Sequence, residues 1–500
     1  MRAWDGYILL IVGEMKKLAT FCTVILPIIL VAATIFSSGC SCFVSSPQPY
    51  GPRVTGDGTG GAIAVYEDIK GGNQHDFYAQ KISPEGDILW GEKGVLIGGG
   101  YKQFDSFHEL HLVSDGSGGA VIAWSAYPSE PDWRLAPGQR QIEYLTHITR
   151  VDSDGSIMWQ REVRGVDHMI SDGAGGAIIA TDYSYDERTL FVIKIDPEGN
   201  FPWGEDGVLI VSHNIYQSNS LGLAGDGAGG AIIVWNELFR EPGTETHQPK
   251  ITNHIFAQRI DAQGQLPWGQ DGVLLHITPE EVRAEELRVT SDGSGGAIAV
   301  WMQVPEGKVE EGSPKALLWD ICAQRVGAKG EVLWAENGVP LDITKEGGVC
   351  PTNRLVISDG ASGAIVIWED LRKGLMSIYA QKIDADGSIK WQPGGEEVCF
   401  IETSLSFWPR TAVSDGSGGA IVTFWTRAQK IDADGRTMWP DDGILFTERG
   451  THALAYDGHG GAVIAWGIGK DMFSSEKSYV QRISADGKLL WGDKGIRLNP

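Results

Sequence analysis

Four short apolar patterns recur along the chain. The first alternates apolar and polar positions and ends at Asp-Gly, as in Leu110–Ser114 (LHLVS) and Leu287–Ser291 (LRVTS). The second is a continuous apolar run ending in an aromatic residue, such as Ala297–Trp301 (AIAVW) or Ala364–Trp368 (AIVIW). The third is a half-polar run of the form IYAQKID, as at Ile378–Asp384. The fourth begins at a tryptophan, usually followed by G-x-x-G-V-x-L, as at Trp268–Leu275. All are rich in Val, Ile and aromatics and are bounded by Gly and Asp, which predicts short strands joined by tight turns. From Tyr50 onward no segment sustains a 3.6-residue apolar period, so no amphipathic helix is expected.

These patterns come in one fixed order, repeated. The string DGxGGA begins at Asp57, Asp115, Asp172, Asp226, Asp292, Asp359, Asp415 and Asp457, with Ser362 replacing a glycine in the sixth copy. Each copy is followed by a tryptophan that closes G-x-x-x-W: Trp90, Trp159, Trp203, Trp268, Trp334, Trp391, Trp439 and Trp491. The aspartates are spaced by 58, 57, 54, 66, 67, 56 and 42 residues, and eight units fill Tyr50 to Pro500. Four antiparallel strands per unit, eight times over, predict an all-β, eight-bladed β-propeller. A linear array of small sheets would leave their faces uncovered. Seven blades is the alternative, because only Thr426 and Arg427 separate Trp425 from the next Ala-Gln-Lys in unit seven.

The first 39 residues read differently. Lys16 and Lys17 precede an uncharged apolar run, Leu18–Phe36, and then small residues lead to Cys40. This is the layout of an export signal. It resembles the lipobox of bacterial lipoproteins, in which the cysteine, here Cys40, carries the lipid. Ser37 stands where that family usually has Leu. An uncleaved anchor and ordinary secretion are the other readings, since the run is long enough to span a bilayer. Each puts residues 50–500 outside the cytoplasm as a single domain, after a tether at 40–49.

Charge narrows the partners. Lys plus Arg number 41 and Asp plus Glu 65, a net charge of −24, which argues against nucleic acid or a polybasic membrane contact. The 67 glycines are about twice the usual share and fit a chain made of turns. Asp-Gly in DGxGG is expected to cap its own hairpin turn. A calcium reading of IDADG meets Gly327-Ala328-Lys329-Gly330 at the same place in unit five, with a cation inside, so no metal is assigned. Fourteen of the 18 tryptophans are repeat tryptophans, eight of the G-x-x-x-W type and six ending the second strand, Trp425 among them. They are expected to form inter-blade core.

The pieces WEDLRKG (Trp368–Gly374) and IYAQKIDADGSIKW (Ile378–Trp391) resemble the tandem propeller repeats of bacterial surface lipoproteins. The ending G-x-x-x-W is also loosely similar to quinoprotein-type and Asp-box propeller repeats, in which a tryptophan docks one blade onto the next. These resemblances imply architecture rather than activity. A quinoprotein would be expected to show a vicinal Cys pair, which this chain lacks, so no cofactor is assigned.

Antiparallel strands alternate direction, so the 1→2 and 3→4 loops open on one face and the 2→3 and 4→1 loops on the other. The first pair is short and uniform. The second holds the length variation, with insertions at Ser125–Thr146, Asn236–His254 and Met302–Asp320 and a connection at Gly98–Glu109. Variable loops on a rigid scaffold are the expected binding face. Its candidate ligand residues are Glu67, Asp68, Trp133, Arg134, Asp182, Glu237, Trp319, Glu369, Asp370 and Arg372. Acidic and aromatic side chains together suit carbohydrate or a basic protein surface.

No nucleophile elbow or P-loop is present, and His108 and His111 lack zincin spacing, so no catalytic residue is assigned. Cys350 and Cys399 bracket unit six, and an exported compartment permits a disulfide between them. The sequence therefore predicts a membrane-tethered, extracytoplasmic propeller that binds protein or polysaccharide without catalysis. The alternatives are a carbohydrate-active enzyme using loop carboxylates and an envelope-assembly scaffold similar in plan to the eight-bladed outer-membrane assembly lipoprotein.

Overall fold

A computed structural model describes residues 51–70, 74–102, 110–125, 145–183, 189–211, 221–241, 250–279, 282–305, 320–341, 355–370, 377–400, 409–447, 451–469 and 476–499. All of them lie in the unit Ser46–Pro500. They contain eight four-stranded antiparallel sheets and no helix. In blade one the strands are Arg53–Gly56, Ala62–Lys70, Gln74–Ile82 and Val95–Lys102, paired in chain order. The other blades repeat this plan. The first strand of each blade touches the first strands of both neighbours, and that of blade eight (Thr451–Tyr456) touches Arg53–Gly56. The first strand is thus innermost, and the ring closes.

The apolar core is divided rather than central. Eight clusters of buried residues each draw on two consecutive blades. In one, Ile298 and Trp334 of blade five join Val366 and Trp368 of blade six. Blade eight meets blade one the same way, through Val463, Trp491 and Leu498 against Val54 and Tyr66. The continuous apolar second strands follow from this, because both faces of each inner sheet are covered by a neighbour. Burying each aromatic contributes on the order of 1.5–3 kcal/mol.

The eight-bladed expectation holds and the seven-blade alternative does not, because unit seven is a full blade: Ala420–Phe424 and Arg427–Ile431 pair through a two-residue turn, Trp425–Thr426. Other expectations are corrected. Phe424, not Trp425, fills the buried aromatic position. Outer strands begin beyond the tryptophan, at Val95 or Val208 for instance, because the G-x-x-G segment turns first. Blade two differs: Trp159 lies within Ile157–Arg164, since Gln160-Arg161-Glu162 supplies no glycine. The insertion at Asn236–His254 is mostly strand, as Ala231–Glu241 and Lys250–Ile260 stay paired to their ends. Gly98–Lys102 likewise belongs to an outer strand.

Candidate functional site

The short-turn face is occupied by one repeated network. In each DGxGG turn the buried aspartate accepts backbone N–H bonds from the residues two and four positions on; for Asp292 these are Ser294 at 2.7 Å and Gly296 at 2.7 Å. In blades two to eight the same carboxylate also meets a cation from the third strand, such as Arg325 Nη2 at 2.8 Å from Asp292 or Lys430 Nζ at 3.3 Å from Asp415. Burial works to raise the Asp115 and Asp415 carboxyls, but hydrogen bonds from Ser117 and Gly119 with Arg150, and from Ser417 and Gly419 with Lys430, hold both below the usual range.

Each cation also reaches the next blade. Arg325 Nη1 donates to Ala385 O at 2.9 Å, and Lys382 Nζ to Gly418 O at 3.0 Å. All eight G-x-x-x-W tryptophans donate Nε1–H to a carbonyl of the next blade's 3→4 turn, from Trp90 to Ser153 O at 3.1 Å through Trp491 to Pro84 O at 3.1 Å. The turn glycine lies flat on that indole: at Gly387, φ +85°, a Cβ would sit 3.0 Å from Trp334 Cδ1. A glutamine of the third strand anchors the tryptophan. Gln381 Oε1 accepts Trp391 N–H at 3.0 Å while its Nε2 donates to Gln392 O. The DGxGG carboxylates, the third-strand cations and the glutamines of this face are therefore occupied in the turns and in holding the ring together, whereas the 3→4 turns also carry exposed pairs such as Arg436–Asp434 and Lys488–Asp486.

The variable face carries isolated features instead. In blade four, paired strand continues six residues past Trp235, to Glu241, about 20 Å at about 3.3 Å per residue. Trp235 Nε1 donates to Glu237 Oε1 at 2.8 Å. Beside this carboxylate, Phe239 stacks on His254 with centroids 4.0 Å apart, and Phe239 is 41 % exposed. In blade one, Glu67 contacts the buried His75, and Lys70 contacts the buried Asp76. Blade seven presents Trp425 at φ +48° and 41 % exposure. A positive φ is a genuine outlier for so large a residue.

The sequence candidates are distributed as follows. Glu67, Asp68 and Glu237 lie on strands running to the variable face and are partly exposed. Glu369 is fully buried, out of reach of a surface ligand in this conformation. Asp182 and Asp370 are strand residues near the same face. Trp133, Arg134, Trp319, Arg372, Cys40 and Cys350 fall outside the described residues. Cys399 is buried in the outer strand of blade six, and burial pushes its thiol up to about 12. The features described bring no two of the candidates from different blades together. Phe239 and Trp425 were missed. Phe239 falls in an insertion whose sequence suggests a loop, and Trp425 ends an apolar second strand as the buried repeat tryptophans do; the two-residue spacing of its hairpin is the available signal.

No family model matches the chain, and no curated protein matches it in sequence. Among solved structures it is similar to puromycin hydrolase, with 14% identity, TM-score 0.42, and coverage of 79% of this chain and 54% of that one. It is also similar to the Pyrococcus horikoshii acylaminoacyl peptidase, at 11% identity and TM-score 0.38, covering 82% and 54%. A Bacteroides caccae protein of unknown function follows at 14% identity and TM-score 0.25, covering 64% and 93%. The chain spans about half the length of the two hydrolases.

Proposed function

We propose that the protein is a non-catalytic binding propeller, exported and tethered through its N-terminal segment, that recognises a saccharide or protein ligand on its variable face. The observation that carries this reading is the exposed Phe239–His254 stack beside Glu237 on the extended hairpin of blade four. An exposed ring offers an apolar platform to the C–H face of a sugar or to a side chain. The adjacent carboxylate accepts hydroxyl or ammonium donors. The platform sits where the connections vary in length, whereas the repeated network of the opposite face serves ring closure.

The test is binding of the full chain to a glycan array and in pull-downs, beside Phe239→Ala and Glu237→Gln variants with unchanged melting temperature. Loss of about tenfold or more in affinity in Phe239→Ala supports the reading. Turnover of a glycan abolished by a loop-carboxylate change would favour the enzyme alternative instead.

A further inference from the structure

The extended hairpin of blade four has two unlike sides. On one, Asn236, Asn253 and Ile255 are buried, and Asn236 Nδ2 donates to Ala284 O of blade five at 2.8 Å. The other side continues the line of Trp235, which packs below into the core shared with blade three. Strand pairing sets Glu237 opposite His254 and Phe239 opposite Thr252 on that side. Phe256, opposite Trp235, stacks on the indole with centroids 5.7 Å apart, and Phe239 stacks on His254 at 4.0 Å. An aromatic ladder thus climbs from the core to an exposed ring.

The polar groups on this side are acceptors more than donors. Trp235 Nε1 donates to Glu237 Oε1 at 2.8 Å and fixes the carboxylate against a buried indole. Glu237 Oε2 has no partner among the described residues, and Glu237 forms no ion pair among them. Thr252 Oγ1 and His254 Nε2 lie 3.1 Å apart and satisfy each other. Burial lowers the His254 ring, with Glu237 opposing, so the imidazole is neutral near pH 7. The next opposed pair, Glu241 and Lys250, brings one charge of each sign. The platform is therefore acidic, in a chain of net charge −24.

We infer that the platform of Phe239, His254 and Glu237 holds the guanidinium of an arginine carried by a basic partner protein. This rests on blade four being the binding surface and chooses among its ligands. A guanidinium is planar and donates N–H bonds without accepting any. Glu237 and Phe239 stand two residues apart on one side of a strand, about 7 Å. The cation lies over the Phe239 ring, which is 41 % exposed, while its fork of donors reaches Glu237 Oε2. A sugar hydroxyl brings an acceptor as well as a donor, and this side has few donors to meet it. The acidic chain also steers a basic partner towards itself.

The test is fluorescence-anisotropy titration of the full chain with labelled, acetylated Gly-Arg-Gly-Arg-Gly and with the same peptide bearing lysine or citrulline, the uncharged isostere, in place of arginine. The arginine peptide should bind saturably and about tenfold tighter than the citrulline peptide. It should lose about tenfold in Glu237→Gln and in Phe239→Ala, the second of which leaves the net charge unchanged. Equal binding of the arginine and citrulline peptides overturns the assignment, and so does lysine binding as tight as arginine. Arginine binding undiminished in Phe239→Ala is attraction to the acidic surface at large and also overturns it. Should Phe239→Ala melt early, Phe239→Leu serves, since it keeps apolar bulk without a ring face: weakened binding supports the contact, and wild-type binding overturns it. Neutral glycans bound in a Phe239-dependent way, with no binding of the arginine peptide, overturn the guanidinium and leave blade four as the binding surface. The absence of any Phe239-dependent ligand removes both.

Discussion

Asp292, in a turn on the short-turn face, and Glu237, on a strand running to the opposite face, are both carboxylates, and they live in different chemistry. Asp292 is fully buried, accepts two backbone N–H groups and meets Arg325 at 2.8 Å. Glu237 is partly exposed and accepts one indole N–H. The first is repeated around the ring; the second belongs to one blade. A residue type that recurs in every unit has been enlisted by the ring, and one that appears once is available for a ligand.

The largest effect should come from Asp292→Ala, which strands Arg325 and two backbone donors. The expected loss is about 3–5 kcal/mol by urea unfolding, against less than about 1 kcal/mol for Glu237→Gln. Equal losses would erase the contrast between the faces. Acid should act next. His111 and His168 are held near 3 and 4 in the folded ring, whereas unfolded histidine titrates near about 6.5. The unfolded chain therefore binds more protons between those values, so stability falls as pH drops from about 6.5 towards 4. The depressed Asp115 and Asp415 contribute stability present above the unfolded carboxyl value. It is lost only further down, as pH falls through their folded values. His168→Gln should flatten the upper part of the curve, and an unchanged slope there would show that His168 is solvated.

Smaller changes probe single ties. Trp334→Phe removes the bond to Ala385 O and should cost about 1 kcal/mol in unfolding free energy, with a larger loss if the ring slips from under Gly387. Trp425→Gly relieves the positive φ of the blade-seven turn. It should raise stability by up to about 1 kcal/mol, the reverse of any tryptophan change on the other face. Ser362→Gly, at φ +68°, should gain about 0.5 kcal/mol by thermal melting.

Much of the ring was legible because its rules are local. Asp-Gly turns, apolar second strands and the G-x-x-x-W ending each occupy a few consecutive residues. The pairing of Asp with Lys or Arg is not legible, although every third strand carries the cation, because the partners lie from 15 residues apart (Asp415 and Lys430) to 35 (Asp115 and Arg150). The glutamine of Ala-Gln-Lys looks like any strand residue for the same reason; its bond to Trp391 spans 10 residues. That Arg53, His111, His168 and Arg288 share one level of the inner strands is not legible in sequence, because it depends on register. Phe239 needed the knowledge that pairing in blade four persists to Glu241–Lys250.

The seam between blades eight and one is made of the same parts as the other seven: Trp491 and Arg482 donate to Pro84 O as each blade's indole and cation donate to the next. No strand is exchanged across it, and Leu498 shares a core cluster with Val54, so the first and last strands are neighbours. The closing seam therefore uses the same indole and cation bonds as the other seven. A circular permutant cut in the 4→1 connection at 342–354, with Asn499 joined to Gly51 by a short linker, should assemble the same eight seams and melt as one ring.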